Sequence, residues 1–152
     1  MTLTLSTTFL SLSIAVMLAI FIVDMRSQMI PDLFTGMLAV LALLFQWSHG
    51  TLLLSGALLG VVFFAAQWLV SRGTWVGSGD IFLVAALGLL LGDWHSTLLM
   101  LMIAYISGAL TVSFLLLHGR DRTQHIAFGP FLILGTFVVL FFGDTLLTMM
   151  MP

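Results

Sequence analysis

A chain of 152 residues that is 61% hydrophobic and 7% charged, with a mean hydropathy of +1.25, lacks the residues for the charged outer shell of a soluble domain. Its formal net charge of −2, with neither Lys nor Glu, leaves no basic patch for nucleic acid. The absence of Cys excludes disulfide frameworks, thiolate catalysis and Cys-ligated zinc.

Apolar runs recur from end to end, and the expected fold class is all-α: a polytopic membrane protein of about six transmembrane helices, several of them short, in one domain over 1–152. The first run, Leu3–Val23, is long enough to span, because a crossing takes roughly 20 residues at ~1.5 Å each. No basic residue precedes it and no small-residue cleavage pattern follows it, so it reads as a retained helix and not a cleaved signal. It runs into Val23-Asp24-Met25-Arg26. The second run, Leu33–Trp47, is short and follows Ile30-Pro31-Asp32. The third, Leu52–Val70, is of spanning length and carries Gly56-x-x-x-Gly60. The fourth, Ile81–Leu91, follows Gly77-Ser78-Gly79-Asp80, carries Gly88-x-x-x-Gly92, and would reach only about 16 Å as a helix. Thr97–Leu117 is long again. The sixth run, Phe128–Phe142, is short, opens on Phe128-Gly129-Pro130 and stops before Gly143-Asp144. Short runs imply a thinned bilayer or helix ends covered by protein. The two Gly pairs suit close helix packing, and the ten Met suit lipid-facing or core-filling positions.

Arginines orient the chain. Arg26 falls in the first of five connecting loops, Arg72 in the third, and Arg120 and Arg122 in the fifth. Odd-numbered loops share one side, so all four arginines lie on one face, and the positive-inside rule makes that face cytoplasmic with both termini outside. The outer loops, near His49-Gly50 and Asp93-Trp94-His95, carry no Arg. Trp47, Trp75 and Trp94 sit near helix ends, where amphipathic rings are favoured.

Ionisable groups at membrane depth need a reason. Asp24 at the end of the first helix and Asp80 at the start of the fourth both fall on the cytoplasmic side. Two carboxyls approaching each other in a low dielectric share one proton. The ionised member can then draw a proton from water while the other polarises a scissile carbonyl, which suits peptide hydrolysis. The bland alternative is two ordinary interface residues. Against it, Gly77 and Gly79 flank Asp80 with backbone that can take unusual dihedrals and lie close to an extended substrate. Asp24 also sits at a helix C-terminus, where the macrodipole disfavours a negative charge. By the same helix-end effects, a shared proton is expected on Asp24, with Asp80 as the base for water.

Other candidates rank lower. Arg26, Arg120 and Arg122 read as topology signals, Asp121 as solvated between the last two, and Asp93 with His95 as a polar turn. His118 and His125 bracket the last cytoplasmic loop and read as solvated. Asp144 has no candidate partner, and Ser78 has no base beside it to make a nucleophile. No metal or other cofactor is implied.

The ordered set Asp24-Met-Arg-Ser-Gln-Met-Ile30-Pro31-Asp32, Gly77-Ser78-Gly79-Asp80 and Phe128-Gly129-Pro130-Phe131 resembles the signatures of the type IV prepilin peptidases. The likeness runs from about Asp24 to Gly135. It implies an aspartyl endopeptidase of the bacterial inner membrane, with Asp24 and Asp80 as the catalytic pair. Its partners would be membrane lipid and a prepilin or pseudopilin, cut at the cytoplasmic face after a Gly just before the apolar helix. Gly77, Ser78, Gly79, Pro31, Asp32, Phe128, Gly129 and Pro130 would be substrate-binding or loop residues. Three positions depart from the family pattern. Phe82 stands where a Lys is common. Asp32 replaces the usual Asn and still suits a helix N-cap. The paired-Cys region linked to N-methylation in long members is absent, so the chain resembles the short, peptidase-only form of Flp or tight-adherence pilus systems. The main competing reading is a small transporter or channel subunit, which also uses short Gly-interrupted helices and buried Asp; no inverted repeat supports it. A second is a non-catalytic assembly subunit of a membrane complex, in which Asp24 and Asp80 would tolerate Asn.

Overall fold

The computed structural model describes residues 2–118 and 127–150, with side chains over 4–118 and 127–149; Arg120, Asp121, Arg122 and His125 lie outside the described residues. The described residues form six helices: α1 (Thr2–Ser27), α2 (Asp32–Ser48), α3 (Ser55–Ser71), α4 (Ser78–Leu91), α5 (Trp94–Leu117) and α6 (Gly129–Met150). Three are long and apolar enough to cross a membrane, within α1, α5 and α6, and three are shorter apolar helices. The all-α, polytopic membrane architecture is the expected one.

Two helices exchange the class expected of them. The third, expected to span, has 17 residues, and the sixth, expected to be short, has 22. Leu52–Leu54 is apolar but not helical, because it forms the return between α2 and α3, and the Leu53 amide donates to the Gln46 side chain. The sixth helix runs straight through Gly143-Asp144, since Asp144 is exposed and one polar residue on an outer face does not stop a helix with good helix formers beyond it.

The shortest helix is the most central. α4 contacts α2, α3, α5 and α6, and Leu83, Val84, Ala86, Leu87, Gly88 and Leu90 along it are buried. A helix of 14 residues reaches about 21 Å, less than the roughly 30 Å hydrocarbon layer. Its middle is packed on all four neighbours and its last residues lead into the buried Gly92, while its first residues, Ser78 and Gly79, open onto a pocket. Small residues set its closest crossing. A methyl built on Gly88 would lie 2.7 Å from the Gly56 backbone, and one on Gly60 would lie 2.9 Å from Val84. At the α5–α6 crossing, a methyl on Gly135 would lie 2.6 Å from the Met100 carbonyl oxygen. Glycine costs about 1 kcal/mol relative to alanine inside a helix, and at these positions close packing offsets it.

Connections alternate the helix directions, so the C-terminal ends of α1 and α3 and the N-terminal starts of α4 and α6 gather at one end. Arg26 and Arg72 lie at that end, and Trp47, Trp75 and Trp94 lie in or beside final and first turns, all partly or largely exposed.

Candidate active site

The site is assembled from three chain segments at that end. The first is the last turn of α1. Asp24 is 3% exposed, and Gln28 closes the helix by donating its amide to the Asp24 carbonyl at 2.9 Å. Gln28 does so with φ 53, a left-handed conformation normally left to Gly or Asn. The chain then turns through Ile30 to Pro31, whose φ of −67 and ψ of 125 make it the last extended residue before α2. Pro31 therefore holds the N-cap position expected of Asp32. Asp32 occupies the first helical turn, where a negative charge still suits the helix dipole.

The second segment leads from α3 to α4. Arg72 ends α3 with φ 51, followed by Gly73 with φ 77. Ser71 and Thr74 knit the turn: the Ser71 hydroxyl oxygen accepts from the Trp75 amide at 3.2 Å, and the Thr74 hydroxyl donates to the Ser71 carbonyl at 2.7 Å. Gly77 caps α4 with φ −72 and ψ 149, an extended conformation open to any residue. The expectation that Gly77 offers unusual dihedrals is therefore corrected. The missing side chains matter through space instead. A methyl on Gly77 would lie 3.5 Å from Asp80 Oδ2, and one on Gly79 would lie 3.4 Å from Ile30. Gly79 lets the start of α4 settle against the α1–α2 link.

The third segment is the start of α6. Gly129 lies against Asp24 so closely that a methyl there would overlap Oδ2, and that oxygen has no hydrogen-bond partner among the described residues. Asp24 thus meets the N-terminus of α6 as well as the C-terminus of its own helix. Helix ends then no longer separate Asp24 from Asp80, and the expectation that they place a shared proton on Asp24 loses its basis.

These segments enclose a pocket of about 600 Å³, lined by Asp24, Gln28, Met29, Ile30, Asp32, Gly73 to Asp80, Ala127 and Phe128. Asp24 and Asp80 are close enough to feel each other's charge. Among the described residues, three carboxyls and no Arg, Lys or His line the pocket. Of the residues singled out from sequence, Asp24, Asp32, Gly77, Ser78, Gly79, Asp80 and Phe128 come together here. Pro31, Gly129 and Pro130 stand directly behind the lining, the last two buried.

Sequence reasoning missed a polar pair behind Asp80. The Tyr105 hydroxyl on α5 donates to Gln67 Oε1 on α3 at 2.8 Å. Its ring centroid lies 5.0 Å from that of Phe128, and it is near enough to Asp80 to sense its charge. The available signal was composition: one Tyr beside 13 Phe.

The lower-ranked candidates lie elsewhere. Asp93 caps α5 at the opposite end, accepting from the Ser96 amide at 2.9 Å. Partial burial pushes its carboxyl up, but hydrogen bonds from Ser96 and His95 outweigh that and hold it below the usual carboxylate range. His95 Nδ1 lies 3.7 Å from Asp93 Oδ1 with both side chains partly exposed. His118 is exposed, with Nδ1 at 2.9 Å from the Phe114 carbonyl oxygen. Arg26 and Asp144 are exposed and outside the pocket lining.

Comparison with known proteins gives a match over residues 11–113 to the family described as the type IV leader peptidase family. Among curated proteins, the chain is 29% identical over 148 residues to a prepilin leader peptidase/N-methyltransferase of Legionella pneumophila, covering 91% of this chain and 51% of that protein. It is 35% identical over 130 residues to the protein of the same description from Escherichia coli (strain K12), covering 80% of this chain and 57% of that one. The Aeromonas hydrophila relative is 29% identical over 140 residues, covering 86% and 48%. The chain spans about half the length of the curated relatives it matches. No solved structure matches.

Proposed function

The chain belongs to the type IV leader peptidase family, and from that premise we propose that it is an intramembrane aspartyl endopeptidase. Its substrates are type IV prepilins or pseudopilins, of the Flp kind in particular, cut at the cytoplasmic face of the inner membrane. One observation carries the reading: Asp24 and Asp80, on different helices, line one pocket within reach of each other's charge, and Asp24 is buried with an unpartnered oxygen. A buried carboxyl oxygen without a partner costs stability, and a role in chemistry gives it a reason.

Two carboxyls hold one proton between them. The ionised member takes a proton from water as the water oxygen attacks the scissile carbonyl carbon, and the protonated member gives its proton to the carbonyl oxygen. The tetrahedral diol then collapses. One hydroxyl returns its proton to the carboxylate that had given one up, the C–N bond breaks, and the departing amine takes the proton first drawn from water. Both carboxyls end as they began. Gly77 and Gly79 keep the approach to Asp80 narrow in side chains, and Gly129 seats Asp24. Phe128 stands at the rim beside them.

Co-expression with a candidate prepilin tests the proposal. The expected result is a smaller pilin with a new N-terminus at the leader junction, by gel and by mass. Intact prepilin in the presence of the folded, inserted chain, across Flp-type and other type IV substrates, overturns it.

A further inference from the structure

Helix α1 touches only α2 and α6 among the described helices, and its outward side forms a groove with α2 of about 680 Å³. The walls are Ala15, Val16 and Ala19 on one side and Leu33, Gly36 and Met37 on the other. Gly36 is the informative residue. It lies inside α2, where glycine weakens a helix relative to alanine. At Gly56, Gly60, Gly88 and Gly135 a methyl would strike a neighbouring helix, but at Gly36 it would meet nothing within 4 Å. The close approach that Gly36 permits is therefore not used by any of the described residues.

The groove is continuous with the candidate active site. Asp32 lines both the groove and the pocket that contains Asp24 and Asp80. Among the described residues, Asp32 is the sole charged side chain along the groove, and the pocket beyond it is lined by three carboxyls and no cation. A ligand matched to both regions has an apolar helix for the groove. At the membrane edge it has unwound backbone flanked by basic residues for the acidic pocket.

We propose that the α1–α2 groove docks the apolar helix of the substrate, which packs against Gly36 and passes its scissile bond over Asp32 to Asp24 and Asp80. This inference rests on the peptidase reading and adds the side from which the substrate enters. A lipid acyl chain is the rival occupant.

The absence of Cys makes single-Cys cross-linking clean. The probe is a synthetic substrate with a Lys-rich leader and an apolar helix of about 20 residues, carrying one Cys in that helix. It is reconstituted in vesicles with Met37→Cys or with Leu110→Cys, a position on α5 that is 67% exposed and away from the groove. Cleavage of the same substrate by the unaltered chain is measured alongside. The expected result is cleavage, with at least about tenfold more cross-linking at position 37 than at 110. Gly36→Leu, which fills the groove, should raise KM about tenfold with kcat kept, the scale of one lost close helix contact. Cleavage with equal cross-linking at both positions, or an unchanged KM in Gly36→Leu, overturns the groove and leaves the peptidase reading intact. Preferential cross-linking at position 37 without cleavage keeps the docking surface and removes the peptidase reading. Neither cleavage nor preferential cross-linking overturns both.

Discussion

Gln46 and Asp24 are both buried polar side chains, 4% and 3% exposed, at opposite ends of the helix bundle. Gln46 is fully engaged. Its Nε2 donates to the Leu53 and Leu89 carbonyls, and its Oε1 accepts from the Leu53 amide, tying α2 to the α2–α3 link and to the end of α4. Around it, Gly56 donates its amide to Gly92 and Asp93 caps α5. At the other end Asp24 keeps an oxygen unpartnered. Backbone strain follows the same division. Near Gln46 the left-handed residues are Gly50 and Gly92, which adopt that conformation freely, whereas beside the pocket Gln28 and Arg72 adopt it with side chains, alongside one glycine, Gly73. Polar groups and glycines at one end close the structure. At the other end one unmatched carboxyl oxygen and left-handed residues with side chains persist, features that cluster at functional sites.

The largest test of this contrast replaces the carboxyls. Asp24→Asn and Asp80→Asn should each lower prepilin cleavage by at least ~10²-fold, with insertion and detergent-unfolding midpoint preserved. Substantial processing by either variant removes the dyad, and with it the reason for the unpartnered oxygen.

Glycines at the two ends should answer the same substitution differently. In Gly129→Ala the new methyl overlaps Asp24 Oδ2, and we expect cleavage to fall about tenfold, about 1.4 kcal/mol in the barrier. In Gly88→Ala the methyl presses on the Gly56 backbone. Overpacking there should cost ~1–3 kcal/mol of stability while kcat is kept below the unfolding midpoint. If Gly129→Ala loses stability and Gly88→Ala loses kcat, the two ends have been read the wrong way round.

Gln46→Leu sharpens the comparison from the stable end. It leaves the Leu53 amide and the Leu89 carbonyl without their partner, at ~1–3 kcal/mol for a buried group, and should not alter the proposed cleavage by the folded protein. Unfolding titrations measured beside single-turnover cleavage separate the two effects.

The smallest effect concerns Asp93. Asp93→Ala removes the α5 cap and should cost ~1 kcal/mol, whereas Asp93→Asn keeps an acceptor and should be near neutral at pH 7. The folded-state carboxyl of Asp93 is held below its ordinary range. Its contribution is therefore present above the unfolded-state value and fades as pH falls through the folded one. Asp93→Asn should lack that acid-side loss, visible as a flatter midpoint against pH; an identical slope in both proteins would show that the cap adds no pH dependence.

The sequence by itself determined the solvent, the number of helices, the gathering of Asp24, Asp80 and Phe128 at one end, and the family. Each of these depends on local chemistry: apolar runs, loop polarity, and short motifs whose residue types are read in place. It read Gly77 and Gly79 as special backbone, yet Gly77 is ordinarily extended and Gly79 matters because Ile30 occupies the space beside it. Only the tertiary structure decided that α4 is the centre of the bundle, that Gly129 seats Asp24, that Tyr105 pairs with Gln67 behind Asp80, and that Gly36 faces an unfilled groove. The physical reason is the bilayer. Lipid-facing and core-facing positions are alike apolar, so hydrophobic periodicity does not say which side of a helix meets another. Those contacts follow from how helices cross, and crossing is set by small residues meeting across long stretches of chain.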